Sequence, residues 1–176
     1  KILQAAQLLG ADILQGVRVK RLVEGDGRVI GVMTDDGILE ADDVVLCAGV
    51  ATTELLQPLG LKIAIDTPPG LLVHSEPVGE TLNGLVMAPE LHVRQTPDGR
   101  LVAGSDFAGM DPGGDAESAA EKLFHMLQGF IRGGDALKLS HHTVGYRPTP
   151  QDGVSVIGRV DNLNGLYVCC THSGIT

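Results

Sequence analysis

The chain has 176 residues, a formal net charge of −9 and an apolar content of 43%. This apolar content excludes an intrinsically disordered chain, and the acidic balance argues against a surface for nucleic acid or for an anionic membrane. No apolar run approaches the roughly 20 residues of a membrane span.

The N-terminal part predicts a helix and then an antiparallel meander. Residues 1–9 have helical spacing, and three alternating runs separated by turn sequences follow. The runs lie at 17–23, 29–34 and 38–41. Gly25, Gly27 and Gly31 superficially match a phosphate loop, but a β-branched run stands where such a loop requires a helix. We therefore interpret residues 25–27 as a hairpin turn.

A continuous apolar run at 44–48 interrupts the alternating pattern. Continuous hydrophobicity predicts a strand that is buried on both faces, as in a parallel sheet. Gly49 ends this strand, and Thr52 or Thr53 is expected to cap a short helix at 54–56.

The three cysteines, Cys47, Cys169 and Cys170, all lie in apolar, strand-like runs. They lack the spacing of a metal site, and adjacent cysteines rarely form an unstrained disulfide. We interpret them as small buried side chains in a reducing compartment, which predicts a cytoplasmic location.

The middle of the chain, after the Pro-Pro-Gly sequence at 68–70, predicts an antiparallel sheet and one helix. Asp115 is expected to cap the helix, and Gly133 to follow its end. The apolar stripe predicted for this helix consists of Ala119, Leu123, Leu127 and Phe130. The predicted strands lie at 71–76, 84–88, 91–95, 100–104 and 137–144, with a hairpin turn at 97–99, and two short buried strands follow at 154–157 and 166–170.

This order of elements predicts a mixed α/β (α+β) fold with two lobes. Both ends of the chain, residues 1–66 and 148–176, would form one lobe. Residues 67–147 would form the other, built on an antiparallel sheet.

Familiar catalytic and metal motifs are missing from the sequence. His141 and His142 are neighbours on a predicted strand, so they point to opposite faces and suit no shared metal. No HExxH or GxSxG spacing exists. We therefore predict no metal ligand and no catalytic side chain.

Arg147 stands between Gly145 and Pro148, just after an apolar strand. Its guanidinium is a planar fork that can grip a substrate carboxylate, or it can pair with an acid on the surface. A second candidate lies at the end of the chain, where a buried strand leads into residues 171–174. If a helix follows there, its first amides would face an anion or an electron-rich ring.

Four segments in this order resemble the D-amino-acid-oxidase-type flavoproteins, a group that includes glycine oxidase, sarcosine oxidase and the D-amino-acid dehydrogenases. The segments are residues 10–19, 41–49, 145–158 and 165–174. The third and fourth are fairly specific when they occur together, whereas the first two occur in many flavin oxidoreductases.

The resemblance implies an incomplete FAD-binding, Rossmann-like lobe and a substrate-binding lobe. It implies that Val19 contacts the adenine region through its backbone and that Ala48 and Gly49 lie near the ribose and phosphates. Arg147 would bind the substrate carboxylate. The residues implied to wrap the flavin ring are His172, Ser173, Gly174, Ile175 and Thr176.

The sequence departs from the family pattern at two places. It lacks the GxGxxG fingerprint, so we expect a piece of a longer protein that binds FAD weakly or not at all by itself and is inactive alone.

His92 stands where several relatives carry Tyr, and alternation puts it on the same face as Arg94. Two interpretations of this face stay open: both side chains face the substrate, or both face solvent. No Cys occupies the position of covalent flavin attachment, which implies non-covalent FAD.

The implied function is FAD-dependent oxidation of the CH–NH bond of an amino acid by hydride transfer to the flavin. The substrate would be a small molecule, namely a D-amino acid, glycine or an N-substituted amino acid. Two alternatives stay open: a non-catalytic, flavoprotein-like interaction domain, and a flavin dehydrogenase for a hydroxy acid or glycerol phosphate. The sequence leaves the electron acceptor and the oligomeric state open.

Overall fold

A computed structural model of the protein describes residues 1–105 and 110–170. The α-helices are α1 (Ile2–Leu8), α2 (Thr52–Leu56) and α3 (Ala116–Phe130). The strands are β1 (Arg21–Gly25), β2 (Arg28–Thr34), β3 (Gly37–Glu40), β4 (Val44–Leu46), β5 (Ile65–Asp66), β6 (Pro69–Ser75), β7 (Val86–Met87), β8 (His92–Gln95), β9 (Leu101–Gly104), β10 (Leu139–Tyr146), β11 (Thr149–Pro150), β12 (Val156–Arg159) and β13 (Leu166–Cys170). The mixed α/β (α+β) fold class is confirmed.

The described chain divides into two compact units. The terminal unit comprises Lys1–Lys62 and Val156–Cys170, and the central unit comprises Ile63–Ser155. Assigning a cofactor to one unit and a substrate to the other stays a prediction.

The meander in the terminal unit has the predicted order, β1-β2-β3, with antiparallel pairing throughout. Asp26 and Gly27 connect β1 to β2 and have φ values of 52° and 73°. Two central residues with positive φ match the right-handed twist of a two-residue hairpin. The interpretation of residues 25–27 as a turn, and not as a phosphate loop, is confirmed.

The first strand of the meander begins later than predicted, at Arg21 instead of residue 17. Its partner β2 ends at Thr34, and Arg21 already pairs with Met33. Lys20 still donates its backbone N–H to Met33 O at 2.8 Å. Upstream residues have no partner strand because the chain turns away after Thr34.

A second sheet in the terminal unit has the order β12-β13-β4, and β13 and β4 are parallel as predicted. The expectation that β4 is buried on both faces is wrong, because Val45 is 61% exposed. Cys47 is exposed and Cys169 half-buried, so only Cys170 fits the prediction of buried cysteines. Val45, Cys47 and Cys169 lie on one face of the sheet, and no described element covers that face.

The short helix α2 is not capped by a threonine side chain. Its N-cap residue is Ala51, without a side-chain hydrogen bond, and a 3-10 helix at Gly49–Ala51 leads into it. Thr52 is already within the helix and fully buried. Because the backbone coils directly after Gly49, the threonines occupy helical positions and not the cap.

The central unit contains a five-stranded antiparallel sheet with the order β10-β6-β9-β8-β7. Alternation along its strands sends every second side chain toward α3. The resulting apolar core contains Leu71, Val73, Leu91, Val93, Leu101, Ala103, Ala120, Leu123, Phe124, Leu127 and Leu137. A smaller ladder pairs β11 with β5.

Helix α3 begins where predicted, because the Asp115 carboxylate accepts a hydrogen bond from Ser118 N at 3.0 Å. Its buried stripe differs in part from the prediction. Ala120 and Phe124 are buried, whereas Phe130 is 44% exposed and Ala119 is half-buried. The observed stripe follows i, i+3, i+4 and i+7 spacing, which is the regular core-facing pattern of a helix.

None of the helices in residues 1–105 and 110–170 is long and apolar enough to span a bilayer.

The Asp115 cap provides a test of the central unit. Replacing Asp115 with Ala leaves the Ser118 N–H without its carboxylate acceptor, and we expect the free energy of unfolding to fall by about 1 kcal/mol. Urea denaturation measures this change. The matched control is Glu121→Ala on the exposed side of the same helix, which should change stability by less than about 0.5 kcal/mol. Equal losses in both variants would contradict the capping role.

Candidate functional site

The face of the five-stranded sheet that points away from α3 carries polar and cationic side chains. Leu71 and Val73 of β6 lie in the core, so alternation places Leu72 and His74 on the other face. The register pairs His74 with Val102, and Val102 with Arg94. His92 pairs with Gly104 one row further along.

Arg147 lies directly after β10, whose last residue Tyr146 pairs with Pro69 of β6. The backbone N–H of Arg147 donates to Pro68 O at 3.3 Å, which continues the ladder by one bond. Pro148 has no N–H to extend this ladder further. The pairing of β10 with β6 therefore fixes the position from which the Arg147 side chain extends.

An open cavity of about 160 Å³ lies against this face of the sheet. Its lining residues are Leu72, Leu85, His92, Val93, Arg94, Val102, Gly104 and Arg147. The predicted substrate ligands His92 and Arg147, which are far apart in sequence, both line this cavity, and Arg94 lines it as well. Their roles as substrate ligands stay predictions.

The size and walls of the cavity suit a small molecule. A cavity of roughly 150 Å³ accommodates a ring of six carbon atoms, which is close to the size of a small amino acid. Gly104 leaves room at the base of the cavity. A Cβ atom at this position would lie only 2.8 Å from Leu72 Cδ2. Leu72, Leu85 and Val102 provide an apolar wall, and none of the lining residues is acidic.

Arg147 is half-buried, and its Nη1 atom is buried without a hydrogen-bond partner in the described part of the protein. A buried cationic donor without an acceptor is costly unless a ligand supplies one. A carboxylate would satisfy it with charge-assisted hydrogen bonds. The prediction that Arg147 binds an anion is thereby consistent with its surroundings. The alternative, in which Arg147 pairs with an acid on the surface, requires an ion pair, and no described acid forms one with it.

Sequence reasoning missed the side chain that braces the hairpin beside the cavity. Gln95 Oε1 accepts hydrogen bonds from the backbone N–H groups of Thr81 and Leu82 at 2.9 and 3.1 Å. Its Nε2 donates to Gly79 O at 2.9 Å and Gly99 O at 3.0 Å. One amide thus ties the loop at 79–82 to β8. Nothing local in the sequence marks Gln95, since its partners are backbone groups 4 to 17 residues away.

A second missed feature is the stacked pair of His74 and His141, whose ring centroids are 4.3 Å apart. The two residues are register partners on β6 and β10, and His74 Nε2 lies 3.1 Å from Thr143 Oγ1. Burial, and then the neighbouring His141, Arg94 and Arg100, lowers the pKa of His74. Burial of the ring is the largest of these causes of the lowered pKa, and the neighbouring charges add to it.

The residues predicted to bind the cofactor are only partly described. Val19 lines a cavity of about 310 Å³ with Arg18, Lys20, Asp35, Glu54 and Leu55. Ala48 and Gly49 follow β4 at the start of the 3-10 helix. His172, Ser173, Gly174, Ile175 and Thr176 lie outside the described residues. Within the described ranges, no three His, Cys, Asp or Glu side chains cluster as metal ligands would.

Comparison with known proteins gives a consistent result. The model of the FAD dependent oxidoreductase family (DAO) matches residues 1–176. Glycine oxidase of Pseudomonas putida is 31% identical over 98% of this chain and 48% of its own length. D-amino acid dehydrogenase of Vibrio cholerae is 33% identical over 90% of this chain and 40% of its own length. This chain therefore spans about half the length of the curated relatives it matches.

The fold is also similar to that of solved structures. The crystal structure of glycine oxidase from Bacillus cereus superposes with a TM-score of 0.75 and 20% identity. The match covers 96% of this chain and 48% of that one. At this identity the likeness concerns the fold alone.

The depressed pKa of His74 leads to a pH prediction. The unfolded chain takes up a proton at this histidine at a higher pH than the folded protein does, so the free energy of unfolding falls as the pH drops below neutrality. We expect His74→Gln to make the decrease between pH 7.5 and pH 5.5 shallower, as measured by urea denaturation at both values. His125→Gln, at an exposed site on α3, is the control and should leave the decrease as it is. An unchanged slope in His74→Gln would contradict the assignment.

Proposed function

Because the chain belongs to the FAD dependent oxidoreductase family, we propose that the full-length protein oxidises the CH–NH bond of an amino acid with bound FAD. The substrate class comprises D-amino acids, glycine and N-substituted amino acids. Relatives named glycine oxidase and D-amino acid dehydrogenase support this class. Membership of the family supports oxidation by FAD, and the residues that line the cavity support an amino acid as the substrate.

The observation that carries the proposal is the unpartnered Arg147 Nη1 at the cavity. An amino-acid substrate brings the carboxylate that this guanidinium lacks. Two parallel hydrogen bonds to a planar fork would fix the orientation of the carboxylate as well as its position. The Cα–H bond would then point in one direction relative to the sheet face.

The residues of the terminal unit fit part of the FAD molecule. Gly49 has a φ of 57°, and apart from its chain neighbours no heavy atom of the described residues lies within 4 Å of the place where a Cβ would stand. A ligand backbone can approach such a glycine closely. Val19 lines a cavity with Arg18, Lys20, Asp35, Glu54 and Leu55, and its backbone would contact the adenine region there. Val19, Ala48 and Gly49 are the described residues that would hold the cofactor.

The chemistry follows from positioning by this chain's own residues. When bound, FAD supplies the acceptor for the hydride that leaves Cα. Arg147 would hold the carboxylate, and the apolar wall of Leu72, Leu85 and Val102 would exclude water from the carbon side of the substrate. Orientation of this kind can remove several kcal/mol of the barrier. A substrate bound with its amine neutral would supply the nitrogen lone pair that forms the C=N bond as the hydride leaves, so no side-chain base would be required for this step.

We also propose a cytoplasmic location for the protein. Cys47, Cys169 and Cys170 are all free thiols, which is the usual state of cysteines in a reducing compartment.

The proposed activity is tested with the full-length flavoprotein under anaerobic conditions. We expect glycine, a sarcosine-type N-methyl amino acid or a D-amino acid from a panel to bleach the absorption of oxidised flavin. The panel includes 2-hydroxy acids and glycerol phosphate. Bleaching by these alone would favour the hydroxy-acid alternative, and no bleaching by any amine would contradict the proposal.

The role of Arg147 is tested by substitution. Arg147→Ala removes the carboxylate fork, and we expect the apparent KM to rise roughly ten- to hundred-fold, as the loss of a charge-assisted hydrogen bond implies. The content of bound FAD should stay the same. Arg132→Ala, at an exposed arginine of the central unit away from the cavity, is the matched control. Loss of FAD with an unchanged KM would show that Arg147 serves the cofactor instead.

A further inference from the structure

The five strands of the central sheet contain no Asp or Glu residue, although the chain has 22 of them and a net charge of −9. The same strands carry one arginine and four histidines: Arg94, His74, His92, His141 and His142. His141 and His142 point to opposite faces, and histidine is formally neutral at pH 7, so the formal charge that these strands place at the cavity is that of Arg94. Arg147, directly after β10, adds a second guanidinium group to the lining, and charges of one sign at an apolar wall focus the field there. Such a surface attracts an anionic ligand.

The arginines of neighbouring strands differ in how their guanidinium groups are used. Arg100, directly before β9, donates to Ser75 O at 3.0 Å, Ser140 Oγ at 2.9 Å and Asp98 at 3.1 Å. Its Nε and Nη1 atoms are thus engaged within the protein, and Nη1 links it to β6 and β10. Arg94 forms no ion pair with any residue in the ranges 1–105 and 110–170. Its charge is available for a ligand.

Among residues 1–105 and 110–170, the lining of the cavity therefore includes two guanidinium groups and no carboxylate to balance them. An α-amino acid with a neutral side chain has one carboxylate and can satisfy only the half-buried Arg147. Arg94 is exposed at the cavity, so it stands at the outer part of the site, where a substrate's far end would lie. The residues of the apolar wall cannot bind a charged group. Arg94 is therefore the contact that would distinguish substrates by the group at their far end.

Resting on the proposed function, we infer that the preferred substrates are amino acids with a second carboxylate, which Arg94 binds while Arg147 binds the first. This class includes acidic amino acids and N-carboxyalkyl amino acids. A second carboxylate matches the second guanidinium in charge and in fork geometry.

The kinetic test compares each diacid with its uncharged amide of equal size. The pairs are iminodiacetate with its monoamide, and both enantiomers of aspartate with those of asparagine. In the full-length flavoprotein we expect kcat/KM to favour the diacid by about ten-fold or more, as charge-assisted hydrogen bonds imply. Arg94→Gln should reduce this ratio to within about two-fold, and Arg94→Lys should give an intermediate ratio because it keeps the charge without the fork. Arg132→Gln is the control and should leave the ratio unchanged.

A binding test decides the inference without turnover. Succinate and its monoamide, succinamate, are titrated into the oxidised flavoprotein by calorimetry. We expect succinate to bind about ten-fold more tightly in the wild type and the preference to vanish in Arg94→Gln. Equal flavin absorption and far-ultraviolet circular dichroism confirm that the variant is folded.

The outcomes separate this inference from the proposed function. Oxidation of neutral amino acids without a preference for diacids in either test would overturn the inference and leave the proposed function standing. A diacid preference that persists in Arg94→Gln would overturn it as well, because another group would then bind the second carboxylate. If no amine reduces the flavin, the proposed function fails, and the succinate titration alone decides whether Arg94 recognises a second carboxylate.

Discussion

The antiparallel pairing of β10 with β6 is the constraint on which the central unit depends. Seven register pairs join these strands, and the backbone hydrogen bond of Arg147 to Pro68 continues them. The register decides which residues of β6 face the helix and which face the cavity. A slip of one residue would exchange the two faces along the whole strand. The core and the candidate site are therefore two consequences of one register.

The two faces of this sheet follow different physical rules. One face buries apolar side chains against α3, and their removal from water stabilises the unit. The other carries His74, His92 and Arg94, with Arg147 beside them. Because no acid of these strands neutralises Arg94 or Arg147, the charge of these two arginines favours the binding of an anion at this face. The helix side supplies the rigidity that a precise carboxylate site requires.

The terminal unit shows a different relation between fold and exposure. Its sheet β12-β13-β4 buries Leu46, Leu166 and Val168 on one side, while Val45 and Ile157 stay more than 60% exposed on the other. A strand that looks uniformly apolar in sequence is thus half-exposed in the structure. An apolar sequence pattern indicates that burying the strand would be favourable. Whether the strand is buried depends on the elements that pack against it.

Local sequence by itself determined most of the elements and the identity of the key arginine. Alternation, turn residues and the Asp115 cap predicted the meander, the hairpin at 97–99 and the start of α3, because these features depend on neighbours within a few residues. The pattern also marked Arg147 and the shared face of His92 and Arg94. Only the tertiary structure decided that these three residues line one cavity, that Arg100 is engaged and that Arg94 has no described ion-pair partner. The cavity depends on segments that lie more than 50 residues apart along the chain, and Arg100 reaches Ser75 and Ser140, which are 25 and 40 residues away. No local pattern encodes such relations.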